Sequence, residues 1–340
     1  MLSKLTRTNE FAILVILVVL SVVVGLINPA FFSISTLFDI LRASVVYLIL
    51  AFGVLPIIIA GGVDISFVAI AAMSSYTTHM LLLSIGYQGG VLAYYLIAGA
   101  IGILAGLLSG FLVTRFHLDI FNVSLATNTM WYGFTLFFIG ATANFDFPQG
   151  AVGYYARFIA TVQDPTVGTA GLHVSVIYAA LIGILVWWLL NYTTLGRGVF
   201  AIGGNREVAV RSGFNVNKIF LTIFALMGLL SSVAGVTQSF LSRNFNPAMF
   251  INDPLNVLAA IVIGGAAITG GRGSIPGTVL GVLLIQVINR ALILTRIPVE
   301  WQTWAVGIIL IIFTSVPALR AKRAKRAGHT VELTEAGPAE

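Results

Sequence analysis

The run "FAILVILVVLSVVVGLI" (11–27) contains no charged residue, and it decides the class of fold. A helix needs about 20 mostly apolar residues to cross the hydrocarbon core of a bilayer. The chain continues as "NPAFFSI" (28–34), without the small-residue cleavage site of a signal peptide. We therefore interpret the first run as an uncleaved membrane anchor.

The whole chain has the same apolar character. Of its 340 residues, 58% are hydrophobic and 9% are charged, whereas a soluble domain has about 25% charged residues. The 35 glycines suit close helix packing in lipid. The chain has no cysteine, which excludes a disulfide framework, a thiolate metal site and a cysteine nucleophile. The composition is that of a membrane protein.

Ten apolar runs are candidates for transmembrane helices. Two are weaker: 37–60 contains Arg42 and Pro56, and 255–270 is short and rich in glycine. Either can be a broken or re-entrant helix, so eight to eleven spans stay open. We predict an all-α polytopic membrane protein with about ten transmembrane helices, at 11–27, 37–60, 65–85, 90–114, 118–140, 172–192, 217–241, 255–270, 274–294 and 300–319.

The lysines and arginines predict the orientation. If the N-terminus is cytoplasmic and all ten spans are complete, thirteen of the 18 fall inside, and only Arg157, Arg243 and Arg296 fall outside. This distribution predicts that both termini are cytoplasmic (N-in and C-in). It also argues against a nucleic-acid partner, because the positive charge follows the membrane rule rather than one binding face.

The loops divide the chain. We expect one transmembrane domain over 1–320 and a disordered cytoplasmic tail over 321–340. The longest outside loop, 141–171, is rich in proline, glycine, aspartate and aromatic residues, and we expect a folded cap with a short helix near 151–161. The longest inside loop is 193–216.

Within that inside loop, "NREVAVRSGF" (205–214) has the signals of a short capped helix. Asn205 suits the N-cap, and Glu207 lies in the first turn, where the helix dipole favours an acidic residue. Gly213 can adopt the left-handed conformation that ends a helix. Glu207 and Arg211 are four residues apart, in the orientation that favours an ion pair.

The same helix also has an apolar side, since Val210 and Phe214 are four residues apart and share a face. A helix of two turns is marginal alone in water. It therefore either lies on the membrane domain as an ordinary interfacial helix or fits a groove on another protein. Both interpretations stay open on local features.

Three motifs carry a resemblance to a family. "TTLGRGVFAIGGNREVAVRSGFNV" (193–216) resembles the cytoplasmic loop of ribose-type ABC importer permeases. "IVIGGAAITGGRGSIPGTVLGVLLI" (261–285) and "IIIAGGVDIS" (57–66) are similar to two further glycine-rich runs of that family. The resemblance covers almost the whole chain in order, and it implies the ABC importer permease fold.

The resemblance also implies a mechanism and partners. A second permease subunit, identical or different, would complete an alternating-access path in the bacterial inner membrane. An ABC ATPase subunit or tandem ATPase would hold ATP and Mg²⁺, and a periplasmic or tethered solute-binding protein would deliver the solute. The loop helix would dock in a cleft of the ATPase, which assigns to coupling Gly203, Gly204, Asn205, Arg206, Glu207, Val210, Arg211, Gly213 and Phe214.

The chain itself offers no catalytic chemistry. It has no G-x-x-x-x-G-K-[ST] motif, and "GGRGSIPG" (270–277) is better interpreted as a tight turn between packed helices. The four histidines, at 79, 117, 173 and 329, are far apart in sequence and suggest no metal site. We predict a non-enzyme without a cofactor of its own.

Ionisable groups at membrane depth are candidates for function. Asp64 follows Gly61 and Gly62, and we favour a cap on a broken helix over a proton-coupling carboxylate. Asp39 and Arg42, three residues apart, can pair along one helix.

The fifth span carries the candidate solute path. Ser124, Asn128 and Tyr132 are spaced four apart and form one polar stripe. Amide, hydroxyl and aromatic groups suit a neutral polyol, but a polar seam between helices is the alternative. The candidates for the path are Asn122, Ser124, Asn128, Trp131 and Tyr132, with Asn244, Asn246 and Asp253 from the outside segment 242–256, where asparagine and aspartate are also plain turn formers.

This span also departs from the family pattern. Asn122 replaces an apolar residue, Ala126 a glycine and Tyr132 an arginine, and Phe67 and Val68 stand where Val-Gly is common. These changes put ribose or a similar pentose in doubt. We predict a permease subunit for a sugar or sugar-like solute, with polyols and autoinducer-type solutes equally compatible. The rivals are an ion-coupled secondary transporter, which needs internal repeats and a midplane carboxylate, and a membrane scaffold.

Overall fold

The computed structural model describes residues 9–164 and 168–295, together with Pro298, Trp301, Trp304, Gly307 and Ile308. Seven helices of this described part, α1 to α4, α6, α9 and α11, are long and apolar enough to cross a membrane. The helices are α1 (Asn9–Ile27), α2 (Ile34–Ile59), α3 (Phe67–Ser84), α4 (Leu92–Phe116), α5 (Ile120–Phe134), α6 (Ser175–Tyr192), α7 (Thr194–Gly204), α8 (Arg206–Arg211), α9 (Val216–Ser242), α10 (Pro254–Ile263) and α11 (Ile275–Leu294).

Nine of the ten predicted runs contain a helix, and the tenth, 300–319, lies outside the described residues but for four positions. The predicted tail 321–340 also lies outside them. Of the two weaker runs, 37–60 is one continuous helix through Pro56. The run 255–270 yields only α10, whose ten residues are about 15 Å long, or half the hydrocarbon core. It is therefore not a complete span.

The segments that connect the described helices lie at two opposite ends of the bundle. One side, which we call the basic end, joins the segments 60–66, 117–119, 193–215 and 264–274. There the Ser274 hydroxyl donates to the Glu10 carboxylate at 2.9 Å. The opposite side, the cap end, holds the segments 85–91, 140–174 and 243–245.

Small residues line the most extensive helix contact of the described chain, between α4 and α9. A Cβ on Gly102 or Gly106 would overlap the carbonyl oxygen of Gly228 or Phe224, respectively. Backbones approach this closely only where no side chain stands between them. In the interior, the first half of α3 is buried on all sides, as expected of a helix that is apolar around its circumference.

The cap contains a β-hairpin, so the expected short helix near 151–161 is wrong and the described fold is not purely helical. Single 3₁₀ turns at Gln149–Ala151 and Tyr154–Ala156 precede β1 (Phe158–Asp164), which pairs antiparallel with β2 (Gly168–His173). Ile159, Thr161 and Val162 supply the β-branched side chains that favour a strand. A bridge between Asn144 and Phe245 ties the cap to the segment after α9.

Candidate docking helix and transport path

The loop 193–216 contains two capped helices, α7 and α8. The Thr193 hydroxyl accepts from the backbone nitrogen of Gly196 at 3.2 Å, and Asn205 Oδ1 accepts from that of Val208 at 3.1 Å. Gly213 has a φ of +85° and ends the second helix, with the Phe214 nitrogen donating to the Ala209 carbonyl at 3.2 Å. Both the predicted cap and the predicted terminator are therefore present.

α8 touches the membrane domain with few side chains. Ala209 is 1% exposed, and Phe214 is half-buried beside Gly198. Val210, by contrast, is 56% exposed. The helical face that Val210 and Phe214 were predicted to share is not formed, because the helix ends at Arg211 and Phe214 lies beyond it. The remaining side chains of α8, those of Arg206, Glu207, Val208 and Arg211, are exposed as well.

The Glu207–Arg211 ion pair is not formed, because within residues 9–164 and 168–295 the one ion pair is Arg290–Asp39, at 2.7 Å. Two exposed charges on a short helix gain little from pairing in water. The expected pair of Asp39 with Arg42 is wrong for another reason. Arg290 takes the Asp39 carboxylate, and Arg42 instead donates to the Leu241 carbonyl at 3.1 Å.

The helix-break residues lie at the basic end. Gly61 has a φ of +89°, and Asp64 is fully buried in the loop before α3. Asp64 Oδ1 accepts from the backbone nitrogen of Ser66 at 2.6 Å and from its hydroxyl at 2.7 Å. Burial raises the Asp64 pKa to about 6, although the hydrogen bonds from Ser66 and Phe67 lower it. Asp64 therefore holds the backbone just before α3, and its role as a cap on a broken helix stays a prediction.

A cavity of about 730 Å³ lies beside α8 at the same end. It is lined by the break loop, by the α4–α5 connection with His117 and Asp119, and by Arg206 of α8. The cavity places the start of the candidate docking helix next to the helix break.

The predicted polar stripe of α5 faces the interior of the protein. The Ser124 hydroxyl is buried and donates to the Phe121 carbonyl at 2.8 Å, and the Tyr132 hydroxyl is buried and donates to the Met249 carbonyl at 2.7 Å. Asn128 and Trp131 are half-buried on the same helix. Asn128 Oδ1 and Trp131 Nε1 are buried without a hydrogen-bond partner in the described part of the chain.

A second face of α5 points away from the rest of the described chain. It forms an open groove of about 760 Å³, in which Asn122 and Thr129 are the polar residues. Small residues, Ala126 and Gly133, lie between them, and Met130 and Phe134 are among the apolar residues that flank the groove. The sequence identified Asn122 but not the face to which it belongs.

The segment 242–256 contains turn formers and one part-buried side-chain contact. Asn246 Oδ1 accepts from the Ala248 nitrogen at 2.9 Å, and Asn244 Nδ2 lies 3.5 Å from the Ser242 carbonyl, so both serve local turns. Asp253 is different, because its Oδ1 accepts from the Tyr47 hydroxyl at 2.8 Å. Sequence reasoning missed Tyr47, whose one signal is a phenol inside an apolar run.

The apolar helices, the half-length α10 and the exposed α8 together define a multi-pass membrane transport protein. The chain belongs to the family described as branched-chain amino acid transport system / permease component, whose family model matches residues 36–314. It is accordingly a permease component of the inner membrane rather than an enzyme.

Named relatives agree with this membership. The chain is 32% identical to the ribose import permease protein RbsC of Bacillus subtilis over 87% of this chain and 88% of that protein. It is 30% identical to the galactose/methyl galactoside import permease protein MglC of Escherichia coli over 95% of this chain and 98% of that protein. No solved structure matches the chain at a significant level.

Proposed function

We propose that this chain is the transmembrane subunit of an ATP-driven importer of a sugar or sugar-like solute and that α8 docks a separate ATPase. The observation that carries the proposal is the exposure of α8, in which Ala209 is the one buried side chain of the helix. A capped two-turn helix that leaves its side chains exposed offers them to a partner. The similarity to two sugar import permeases supports the same role.

The docking surface consists of Arg206, Glu207, Val208, Val210 and Arg211. It combines two apolar side chains with charges of both signs, which suits a groove that contains apolar and polar groups. ATP and Mg²⁺ bind to the partner, an ABC ATPase subunit or tandem ATPase, since the sequence here lacks a phosphate-binding loop. This docking requires the basic end to be cytoplasmic. The predicted topology, with ten spans and both termini inside, places the basic end in the cytoplasm.

A second permease subunit covers the exposed groove of α5. The Asn122 amide lies on a face of α5 that the described part of the chain leaves open, and a polar group that faces lipid is costly. The Thr129 hydroxyl on the same face donates to the Leu125 carbonyl of its own helix at 3.1 Å. A second copy or a related chain resolves this by enclosing a polar path between two α5 helices. Asn128 and Trp131, with their unpartnered polar atoms, are the inner groups that a solute could use as that path opens.

The solute is proposed to be neutral. Polar candidates on α5 are amides, hydroxyls and indole nitrogen, which bind sugar hydroxyls without a charge partner. The Asp253 carboxylate is already held by Tyr47 and Asn256. Branched-chain amino acids are the second candidate, because the family description names them. Their ammonium and carboxylate groups need charged partners, which argues for the sugar. A solute-binding protein at the cap end delivers the solute.

Reconstitution tests the function. The chain is placed in vesicles with its ATPase and solute-binding protein, and uptake of radiolabelled ribose, galactose and leucine is measured. Uptake of one sugar that requires ATP and the binding protein supports the proposal. Uptake by this chain alone on a proton or sodium gradient would instead establish the ion-coupled alternative, and ATP-driven uptake restricted to leucine would reject the solute class.

The docking role has its own test. Val210→Asp places a carboxylate in the apolar part of the surface, and we expect association with the ATPase to fall about tenfold or more, or about 1.4 kcal/mol. Val152→Asp is the matched control, because Val152 is also exposed but lies in the cap. Both variants should reach the membrane normally. Equal ATPase binding by both would reject α8 as the docking site.

A further inference from the structure

The three glycine-rich motifs of the sequence meet at one point of the basic end. Gly61 follows α2, Gly203 is the penultimate residue of α7, and Gly270 and Gly271 lie in the loop between α10 and α11. These four glycines come from distant parts of the chain, and we call their contact the glycine junction. Of the residues that the sequence assigned to coupling, Gly203 belongs to this junction. A methyl group on Gly204 would have no described atom within 4 Å beyond its chain neighbours and the backbone of its own helix, outside both the junction and the docking surface of α8, so the structure does not place Gly204 in the coupling machinery.

The contacts of the junction are between backbones. The Gly271 nitrogen donates to the carbonyl oxygen of Ile59, the last residue of α2, at 2.8 Å. A Cβ on Gly270 would lie 2.8 Å from the Gly61 Cα and 2.9 Å from the Gly203 carbonyl oxygen. A Cβ on Gly203 would overlap both the Ile59 carbonyl oxygen and the Gly271 nitrogen. No side chain separates the three segments.

The junction lies at the base of α8. Gly203 is two residues before Asn205, the N-cap of that helix, so the docking helix begins where the three backbones touch. On the other side, the loop that contains Gly270 leads back to α10. That helix is only ten residues long, and its far end carries Asp253, which accepts the hydrogen bond from Tyr47.

We propose that the glycine junction is the positioning element that converts a movement of α8 into a movement of α10. The inference rests on the proposed docking of the ATPase to α8. Backbones in direct contact and joined by a hydrogen bond transmit a displacement without the slack of intervening side chains. A shift of α8 therefore moves the 264–274 loop and the end of α2 together. Through the short α10, the shift reaches Asp253 beside the α5 residues of the proposed path.

Neighbouring glycines supply a matched pair of variants. Gly203→Ala inserts a methyl group into the junction, whereas Gly204→Ala inserts one where no atom lies within 4 Å. Both positions are at the end of α7, and alanine favours a helix more than glycine does. A loss specific to Gly203→Ala therefore cannot come from local helix propensity.

The experiment uses the full complex with ATPase and binding protein, and measures solute transported per ATP hydrolysed. Gly203→Ala should bind the ATPase normally but lose about fivefold or more of this ratio, while Gly204→Ala keeps it. Equal ratios for both variants would overturn the junction and leave the docking proposal intact. Loss of ATPase binding in Val210→Asp but not in Gly203→Ala separates docking from transmission.

A second measurement does not depend on the stability of Gly203→Ala. Because the chain has no cysteine, spin labels can be placed on single introduced cysteines at the exposed Ser212 and Thr269. The junction requires this distance to stay constant between the nucleotide-free and ATP-bound complexes, while the distance from Ser212 to the exposed Val152 of the cap changes. A change between Ser212 and Thr269 as large as that to Val152 would overturn the proposal.

Discussion

The hydroxyl of Tyr47, midway along α2, donates a 2.8 Å hydrogen bond to the carboxylate of Asp253 at the start of α10. The Asn256 amide donates to the same oxygen at 3.2 Å. Because α10 is only about half as long as a complete span, it cannot reach both ends of the bundle. The bond from Tyr47 therefore fixes the depth at which α10 begins, and it does so from a helix that runs the length of the bundle.

Replacing Tyr47 by phenylalanine tests this anchor. The variant removes the hydroxyl and leaves Asp253 with Asn256 alone, so we expect a loss of about 1 kcal/mol in the free energy of unfolding. Thermal unfolding in detergent measures it. Tyr192→Phe is the control, because Tyr192 is 61% exposed on α6. If the two variants unfold at the same temperature, the Tyr47 bond contributes no stability.

The contact between α4 and α9 predicts a graded response to alanine. A Cβ on Gly106 would overlap the Phe224 carbonyl oxygen and lie 3.2 Å from the Gly228 Cα, and neither backbone can move alone. Gly106→Ala should cost about 1–3 kcal/mol through overpacking. Gly99→Ala, about two turns away on the same helix, meets only the end of the Leu229 side chain at 3.0 Å and should cost much less. Comparable melting temperatures for the two would contradict the close approach.

Local signals in the sequence predicted local structure well. The asparagine cap and glycine end of α8 are formed as expected, and the apolar runs gave the helices. Periodicity also predicted correctly that Ser124 and Tyr132 share a face. It did not predict which face of α5 is inside, because this helix carries polar groups on both sides and the choice depends on the neighbours that pack against it.

Long-range contacts were not predictable from spacing. Asp39 pairs with Arg290 of α11 at 2.7 Å rather than with Arg42, its neighbour three residues along α2. The packing of α11 against α2 brings the two charged groups together, and sequence spacing does not show this packing. The glycine motifs were visible as three separate runs, but only the fold shows that Gly61, Gly203 and Gly270 touch. The motifs can be found in the sequence, but the contacts between their glycines cannot.

The cap is predicted to loosen in acid through His173. Its Nδ1 accepts from the Ser175 nitrogen at 3.1 Å, so Nε2 carries the proton that is donated to the Tyr154 carbonyl at 2.9 Å. Burial lowers the His173 pKa below its ordinary value of 6.5, and the charge of Arg42 lowers it further, against the bond to Tyr154. A lowered pKa means that this stability is complete above pH 6.5 and is lost as the pH falls through the folded-state value.

Hydrogen exchange of the segment 154–175, corrected for the intrinsic effect of pH, measures this loosening. Exchange in the hairpin should accelerate as the pH is lowered from 7 to 5, while α4 and α9 stay protected. His173→Gln, which does not titrate, should lose most of that acceleration. A hairpin that is equally protected at both pH values in the native protein would show that His173 does not control the cap.

The unpartnered groups on α5 predict opposite effects on stability and transport. Asn128 Oδ1 is buried and has no hydrogen-bond partner among the described residues, and such an atom costs about 1–3 kcal/mol in the native state. Asn128→Leu removes that cost at similar volume, so the melting temperature should rise while ATP-driven uptake falls. Thr129→Val is the control variant, because Thr129 lies on the open face of the same helix rather than on the inner face with Asn128. A lower melting temperature for Asn128→Leu would identify Asn128 as a structural residue, held in the fold for packing rather than for a solute.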